Sequence, residues 1–226
     1  MMRWRKKCAP SSTVMSTPTG ATTPVGESAT VLGQGSAPVK EPGGGRLERY
    51  LAHLDDVTAG LVPEFLIVPS TSPDLKDIIV MAYEDLPEPG FLFGVTYGLS
   101  REPRKQWTHG RPELSICVKS TDLGWATAIG CLAEAFRDEH AFSIGSLFDV
   151  GEPITSDTAM DGFLLLSSSI LDREDTHIDV GDTIPINLIE AYPTYASERA
   201  FIQEHGIDAF FDLEWEPYDV TRPPAI

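Results

Sequence analysis

The stretch that decides the fold is FGVTYGLSREPRKQWTHGRPELSICV, residues 93–118. Its two ends, FGVTYGLS and PELSICV, mix apolar and polar residues in the manner of half-buried strands. We therefore predict two strands joined by a polar loop. A loop of this composition is compatible with an active site, a nucleic-acid contact or a protein contact. Its cationic and aromatic residues are Arg101, Arg104, Lys105, Trp107, His109 and Arg111.

Helical and strand patterns extend on both sides of this stretch. Residues 46–57 place Leu47, Tyr50, Leu51, Leu54 and Val57 on one face of a helix, which Gly60 ends. A second helix follows Asp122 and has Trp125, Ile129, Leu132 and Phe136 on one side. A third covers about residues 196–205 and ends at Gly206, a residue suited to a left-handed cap.

Strands are predicted within residues 65–69, 76–85, 91–100, 112–119, 162–170 and 183–193, with further short strands in 141–154. Because helices are few and strands come in runs, the pattern favours an α+β fold over a βαβ repeat. We expect a mixed, largely antiparallel sheet flanked by helices. The two glycines of GVTYG, Gly94 and Gly98, predict a bulge or a close backbone approach.

Residues 1–45 differ in composition from the rest of the chain. They are rich in Thr, Ser, Pro and Gly, with few large apolar side chains, which predicts a disordered tail ahead of a single domain at residues 46–226. The tail contains five Lys and Arg and two Glu, a net +3, so the domain carries −20 of the chain's total of −17. Such an acidic domain repels nucleic acid and attracts basic proteins.

Catalytic and ligand-binding patterns are weak. Ser100, His109 and Glu113 are a conceivable nucleophile, base and orienting group, but Ser100 lacks the glycine pattern of a nucleophile elbow. The histidines are scattered singly, the three cysteines have no metal-ligand spacing, and no glycine-rich loop opens a helix. We therefore expect no catalytic site, metal or cofactor. We also expect no membrane span, and a reducing, cytoplasmic location.

An ordered set of motifs resembles the suppressor of fused domain family. The set comprises Tyr97-Gly98-Leu99-Ser100, then Pro112-Glu113-Leu114, then a helix with Trp125, and finally a helix ended by Gly206 in HGIDAF. The resemblance extends over nearly all of residues 46–222. It implies a non-enzymatic protein-binding domain and assigns these motif residues a structural role.

The resemblance also implies a kind of partner. Single-domain bacterial relatives resemble immunity proteins that neutralise a toxin by binding it, and a basic toxin would suit the acidic domain. In the eukaryotic relative the loop after this motif helps to line a peptide groove, which implies a contact region but transfers no contact residue. Because an aromatic ring among cations is typical of a contact anchor, we expect Arg104, Lys105, Trp107 and His109 to contact a partner. For Trp107 a ring folded back over the sheet is the alternative. A regulatory or scaffold module, and a small hydrolase using Ser100 or His109, are the alternative functions.

Overall fold

The computed structural model describes residues 45–107 and 110–226. The helices in these residues are α1 (Arg46–Val57), α2 (Gly124–Phe136), α3 (Ala196–His205) and α4 (Ile207–Phe211), with a short 3-10 turn at Leu99–Arg101. The strands are β1 (Glu64–Val68), β2 (Ile78–Glu84), β3 (Leu92–Tyr97), β4 (Arg111–Val118), β5 (Leu147–Asp149), β6 (Gly162–Leu166), β7 (His177–Ile178) and β8 (Ile186–Thr194). The predicted strands on either side of the loop are thus β3 and β4.

One sheet contains all eight strands. Its order is β1-β2-β3-β4-β8-β6-β5, and β7 pairs with β8 beside β6. Every pair is antiparallel except β4 with β8, where Arg111 is opposite Ile186 and Ser115 is opposite Glu190. The predicted α+β class with a mixed, largely antiparallel sheet is confirmed.

Both faces of the sheet are covered, which explains the nearly continuous apolar run of β2. Val80 and Ala82 face α2, whose Trp125 and Ile129 belong to the same core. Met81 and Tyr83 point to the opposite face, where Tyr50 and Leu54 of α1 pack. A third cluster joins β6 to α3 and α4 through Leu164, Ile202 and Phe210. The predicted apolar face of α1 is the surface that meets the sheet, at Tyr50 and Leu54.

The two glycines of GVTYG allow close packing. A Cβ atom on Gly94 would lie 3.1 Å from the Cβ of Ala126, so this glycine lets α2 approach the sheet. Gly98 has a φ of 147° and would place a Cβ 2.9 Å from the carbonyl oxygen of Asp77. The predicted close approach is found at both positions.

Three local features differ from or extend the sequence prediction. Within residues 141–154, the structure has the single strand β5, and Gly145 and Gly151, both with positive φ, flank it. The two-residue strand β7 was not predicted because its neighbours are mostly polar. The N-cap of α2 is Leu123 rather than the predicted Asp122, which lies one residue earlier and accepts a hydrogen bond from the amide of Gly124 at 2.8 Å.

Candidate partner-binding site

The loop between β3 and β4 contains the residues for which a partner contact is predicted. Trp107 is 6% exposed, and its ring belongs to the core on the α2 face of the sheet. Its indole N–H donates a hydrogen bond to the carbonyl oxygen of Ala141 at 3.2 Å. Of the two alternatives for this side chain, the geometry is that of a ring folded over the sheet.

The charged residues of the loop are placed differently from Trp107. Arg104 forms an ion pair with Asp138, just beyond the end of α2, and Lys105 is exposed. His109 lies outside the described residues. Contact of Arg104, Lys105, Trp107 and His109 with a partner remains a prediction.

Glu113 is the centre of a buried hydrogen-bond network at the base of this loop. Its side chain is fully buried. One carboxylate oxygen accepts hydrogen bonds from the amides of Gly98 and Ser100, at 2.8 and 2.9 Å, and from the Ser100 hydroxyl at 2.6 Å. The other accepts one from the Thr96 hydroxyl at 2.7 Å. Four donors replace the water that the carboxylate loses on burial.

Residues of both sequence motifs take part in this network. Gly98 and Ser100 come from the first motif and Glu113 from the second, so the two motifs are the donor and acceptor halves of one contact. Leu99 and Leu114 are buried in the core beside it. The motif residues Tyr97, Pro112 and Trp125 are buried as well.

Arg46 ties the first helix to the same network. Its guanidinium donates to the Ser100 hydroxyl at 2.7 Å and to the carboxylate of Asp182 at 3.0 Å. Arg111 at the start of β4 donates to the same Asp182 oxygen at 2.9 Å. The beginning of α1, the loop before β8 and the base of the β3–β4 hairpin are therefore held together by charged hydrogen bonds.

The same geometry argues against Ser100 as a nucleophile. Its hydroxyl donates to Glu113 and accepts from Arg46, and its side chain is fully buried. A nucleophile needs a neighbouring base and an approach for the substrate. The neighbouring carboxylate of Glu113 already accepts three further hydrogen bonds, and the fully buried Ser100 hydroxyl leaves no approach for a substrate within the described residues.

A cleft of about 730 Å³ opens beside the loop. Its floor is formed by β8 at Asn187, Leu188 and Ile189, between the places where β7 and β6 pair with that strand. Its walls come from the β3–β4 loop, residues 141–144 and residues 167–177. Ile144 on the rim is 61% exposed. The lining mixes apolar residues with nearly as many polar ones, so the cleft can contact both kinds of group in a ligand.

Polar groups line the cleft at fixed positions. The side-chain oxygen of Asn187 is buried and has no hydrogen-bond partner within the described residues. Gly110 allows Asn187 its position, because a Cβ on Gly110 would lie 2.0 Å from the Asn187 amide nitrogen. Arg173 and His177, both exposed, stand on the wall opposite the β3–β4 loop. The cleft can therefore hydrogen-bond to a polar ligand as well as cover an apolar one.

A second buried glutamate supports one wall of the cleft. Glu190 accepts a hydrogen bond from the amide of Ser169 at 3.3 Å. The Ser169 hydroxyl forms hydrogen bonds with the hydroxyl of Tyr192, at 2.8 Å, and with that of Tyr218. Burial raises the pKa of Glu190 to about 7, although hydrogen bonds from Ser168, Ser169 and Tyr192 partly offset it. Ser168 itself lines the cleft, so the wall is connected to this carboxyl group.

The family follows from the sequence comparison. The sequence model of the Suppressor of fused protein (SUFU) family matches residues 72–223, more than half of the chain. This chain belongs to the suppressor of fused family. No curated protein matches it.

Solved structures of suppressor of fused proteins share this fold. A SUFU homolog from Neisseria gonorrhoeae FA 1090 is 17% identical with a TM-score of 0.62, covering 79% of this chain and 96% of that one. Drosophila Suppressor of Fused is 11% identical with a TM-score of 0.58, and the match covers 79% of this chain and 51% of that one. The Sufu-Fu complex contains a chain 13% identical with a TM-score of 0.59, with coverages of 80% and 92%. This chain therefore spans about half of the Drosophila protein.

Most cationic side chains of this suppressor of fused domain form ion pairs with its own carboxylates. Arg137, Arg199 and Arg222 are buried and paired with Glu134, with Asp149 and Asp161, and with Glu198. Arg46 and Arg111 share Asp182. Most of the acidic residues of the domain are exposed, so its outer surface is more negative than the ratio of charges alone indicates.

Sequence reasoning missed residues of the floor and of the far wall of the cleft. Asn187, Arg173 and His177 were not singled out, because they lie in or beside strands whose pairing is long-range. The polar run 167–177 between two strands was the available signal, since long polar connections often line binding sites.

Two further properties concern the described parts of the chain. No helix there is long and apolar enough to span a bilayer. No group of three or more His, Cys, Asp or Glu side chains in residues 45–107 and 110–226 is arranged to hold a metal ion.

Proposed function

We propose that this suppressor of fused domain is a non-catalytic, cytoplasmic immunity protein that neutralises a toxin by binding it directly in the cleft beside the β3–β4 loop. The observation that carries the proposal is the cleft itself. It has a volume of about 730 Å³, it is walled by Trp107 and Phe142, and the exposed side chains of Arg173 and His177 line it. A site of this kind can take a short segment of a protein partner.

A relative supports binding to a protein. The chain named Sufu in the Sufu-Fu complex, solved together with Fu, has the same fold as this domain. A shared fold at 13% identity transfers no contact residue. The cleft residues of this chain therefore supply the argument for where its own partner binds.

The charge of the domain indicates the kind of partner. A net charge of −20 over residues 46–226 draws a basic protein to the surface and speeds its association. Many toxin nucleases are basic because they bind nucleic acid, and an acidic inhibitor would cover that surface. Added salt should weaken such a complex.

The test uses the full chain and the product of the adjacent reading frame. If that frame encodes a toxin, co-expression should restore host growth, and a pull-down should recover toxin and domain in equal amounts. Failure of both would contradict the immunity role. A stoichiometric partner that is not toxic would instead support the regulatory or scaffold alternative.

A matched pair of variants tests the cleft. Ile144→Arg places a long cation on the rim, where it obstructs the cleft and repels a basic partner. We expect binding to weaken at least about tenfold. Ile226→Arg is the control, because Ile226 is exposed to a similar extent, 51% against 61%, and lies near α3 rather than the cleft. Equal binding by the two variants would show that the partner binds elsewhere.

A further inference from the structure

The two edges of the sheet differ in how well they are protected. β5 forms one edge with three residues, and its Asp149 is paired with Arg199 of α3. β1 forms the other edge with five residues, Glu-Phe-Leu-Ile-Val, and pairs with β2 alone. Short strands and paired charges protect an edge, whereas an apolar strand without Lys, Pro or a bulge leaves its outer amides and carbonyls ready to pair.

Exposed apolar side chains gather at the β1 edge. Phe65 is 46% exposed, and just before the strand Leu61 is 42% and Val62 is 89% exposed. These three are among the most exposed large apolar residues of the described chain, and they lie within five consecutive positions. An added strand would cover them as well as satisfy the outer backbone groups of β1.

Charge decides which strand can add there. Glu64 of β1 is next to the end of β2, where Glu84 is exposed, and Asp55 acts electrostatically on Tyr83 at the same end. Asp74 and Asp77 are exposed in the loop that joins the opposite end of β1 to β2. Two copies paired through β1 would bring these acidic ends together, and each domain carries −20. A second copy is therefore disfavoured.

We infer that β1 is a second docking surface, which accepts an extended segment of a basic protein partner as an additional strand. The segment would pair with the backbone of Glu64–Val68, cover Phe65 with an apolar side chain and place Lys or Arg beside Glu64 and Glu84. The inference rests on the proposed function only in that a protein partner exists. The β1 surface is distinct from the cleft, because no β1 residue lines it.

The experiment uses the full chain and a synthetic peptide of alternating lysine and valine, about nine residues long. With the peptide at ten times its Kd, the outward-facing amides of β1 should exchange with solvent about tenfold more slowly. Phe65→Lys should weaken peptide binding at least about tenfold, since it removes the apolar contact and adds a like charge. Phe211→Lys is the matched control, because Phe211 is 48% exposed on α4.

Three outcomes would overturn the inference. They are unchanged exchange at β1, equal binding by the two lysine variants, and equal binding of a peptide of the same composition with its lysines and valines in two blocks. Exchange in β2 and β3 verifies that each variant is folded. No toxin is used, so a negative result here leaves the co-expression test of the proposed function intact.

Discussion

Glu113 and Glu190 lie on adjoining strands, face the same side of the sheet and are both fully buried, yet their surroundings are opposite. Glu113 accepts four hydrogen bonds from backbone and hydroxyl donors. Glu190 has one oxygen without a hydrogen-bond partner in the described chain, and its register partner Ser115 has an unpaired hydroxyl. Burial alone therefore does not define the surroundings of a carboxyl group: Glu113 is satisfied by four hydrogen-bond donors, whereas desolvation raises the pKa of Glu190.

The largest expected loss of stability comes from replacing the carboxylate of Glu113, which accepts the hydrogen bonds of the network. In Glu113→Gln the side-chain amide presents donors or a weaker acceptor to the N–H groups of Gly98 and Ser100. The free energy of unfolding should fall by about 3 to 4 kcal/mol, because buried donors lose their partner. Urea unfolding at about pH 7.5 measures this loss. A loss as small as that of an exposed glutamate would refute the structural role of the network.

The next largest effect is the pH dependence of the free energy of unfolding that arises from Glu190. Its pKa is raised from 4.5 to about 7 in the folded protein, so the unfolded state loses the proton first as pH rises. The contribution of Glu190 to the free energy of unfolding is fully present below about pH 4.5. It is lost as the pH rises through 7, by about 3 kcal/mol in all.

Urea unfolding of the wild type and of Glu190→Gln, repeated across this pH range, isolates that contribution. The glutamine has no proton to lose, so the variant should gain stability relative to the wild type as pH rises. A difference between the two proteins that does not change with pH would remove the contrast between the two glutamates.

The smallest effect compares two buried serines. The hydroxyl of Ser100 donates to Glu113 and accepts from Arg46, whereas that of Ser115 has no partner within the described residues. Ser100→Ala should lower the free energy of unfolding by about 1 to 2 kcal/mol, and Ser115→Ala should change it by less than about 0.5 kcal/mol. Thermal unfolding of both variants measures the difference, and similar losses would show that Ser115 has a partner as well.

The sequence predicted the elements of this fold better than their pairing. The apolar periodicity of α1 and the runs that form β2, β3 and β4 depend on local patterns, which are readable in a single chain. The parallel pairing of β4 with β8 joins segments far apart in sequence and leaves no local pattern. The two-residue β7 is held by that same long-range arrangement, so it was missed.

The candidate site was predictable only in part. The motif residues Gly98, Ser100 and Glu113 were assigned a structural role, but their hydrogen bonds to one another need the hairpin register to be known. The orientation of Trp107 was open between two alternatives because an indole beside arginines suits both a partner contact and a core. Asn187 gave no signal, since its importance depends on the backbone of Gly110 passing over it.

The position of β8 also has a consequence for synthesis on the ribosome. It is the last strand in chain order, yet it lies between β4 and β6 in the sheet. Until Thr194 has emerged, a nascent chain can form the β1–β4 meander and the β5–β6 hairpin but cannot join them. Both fragments would expose open strand edges during that interval, so the sheet can close only after β8 has been synthesised. Products truncated before β8 would lack the floor of the cleft.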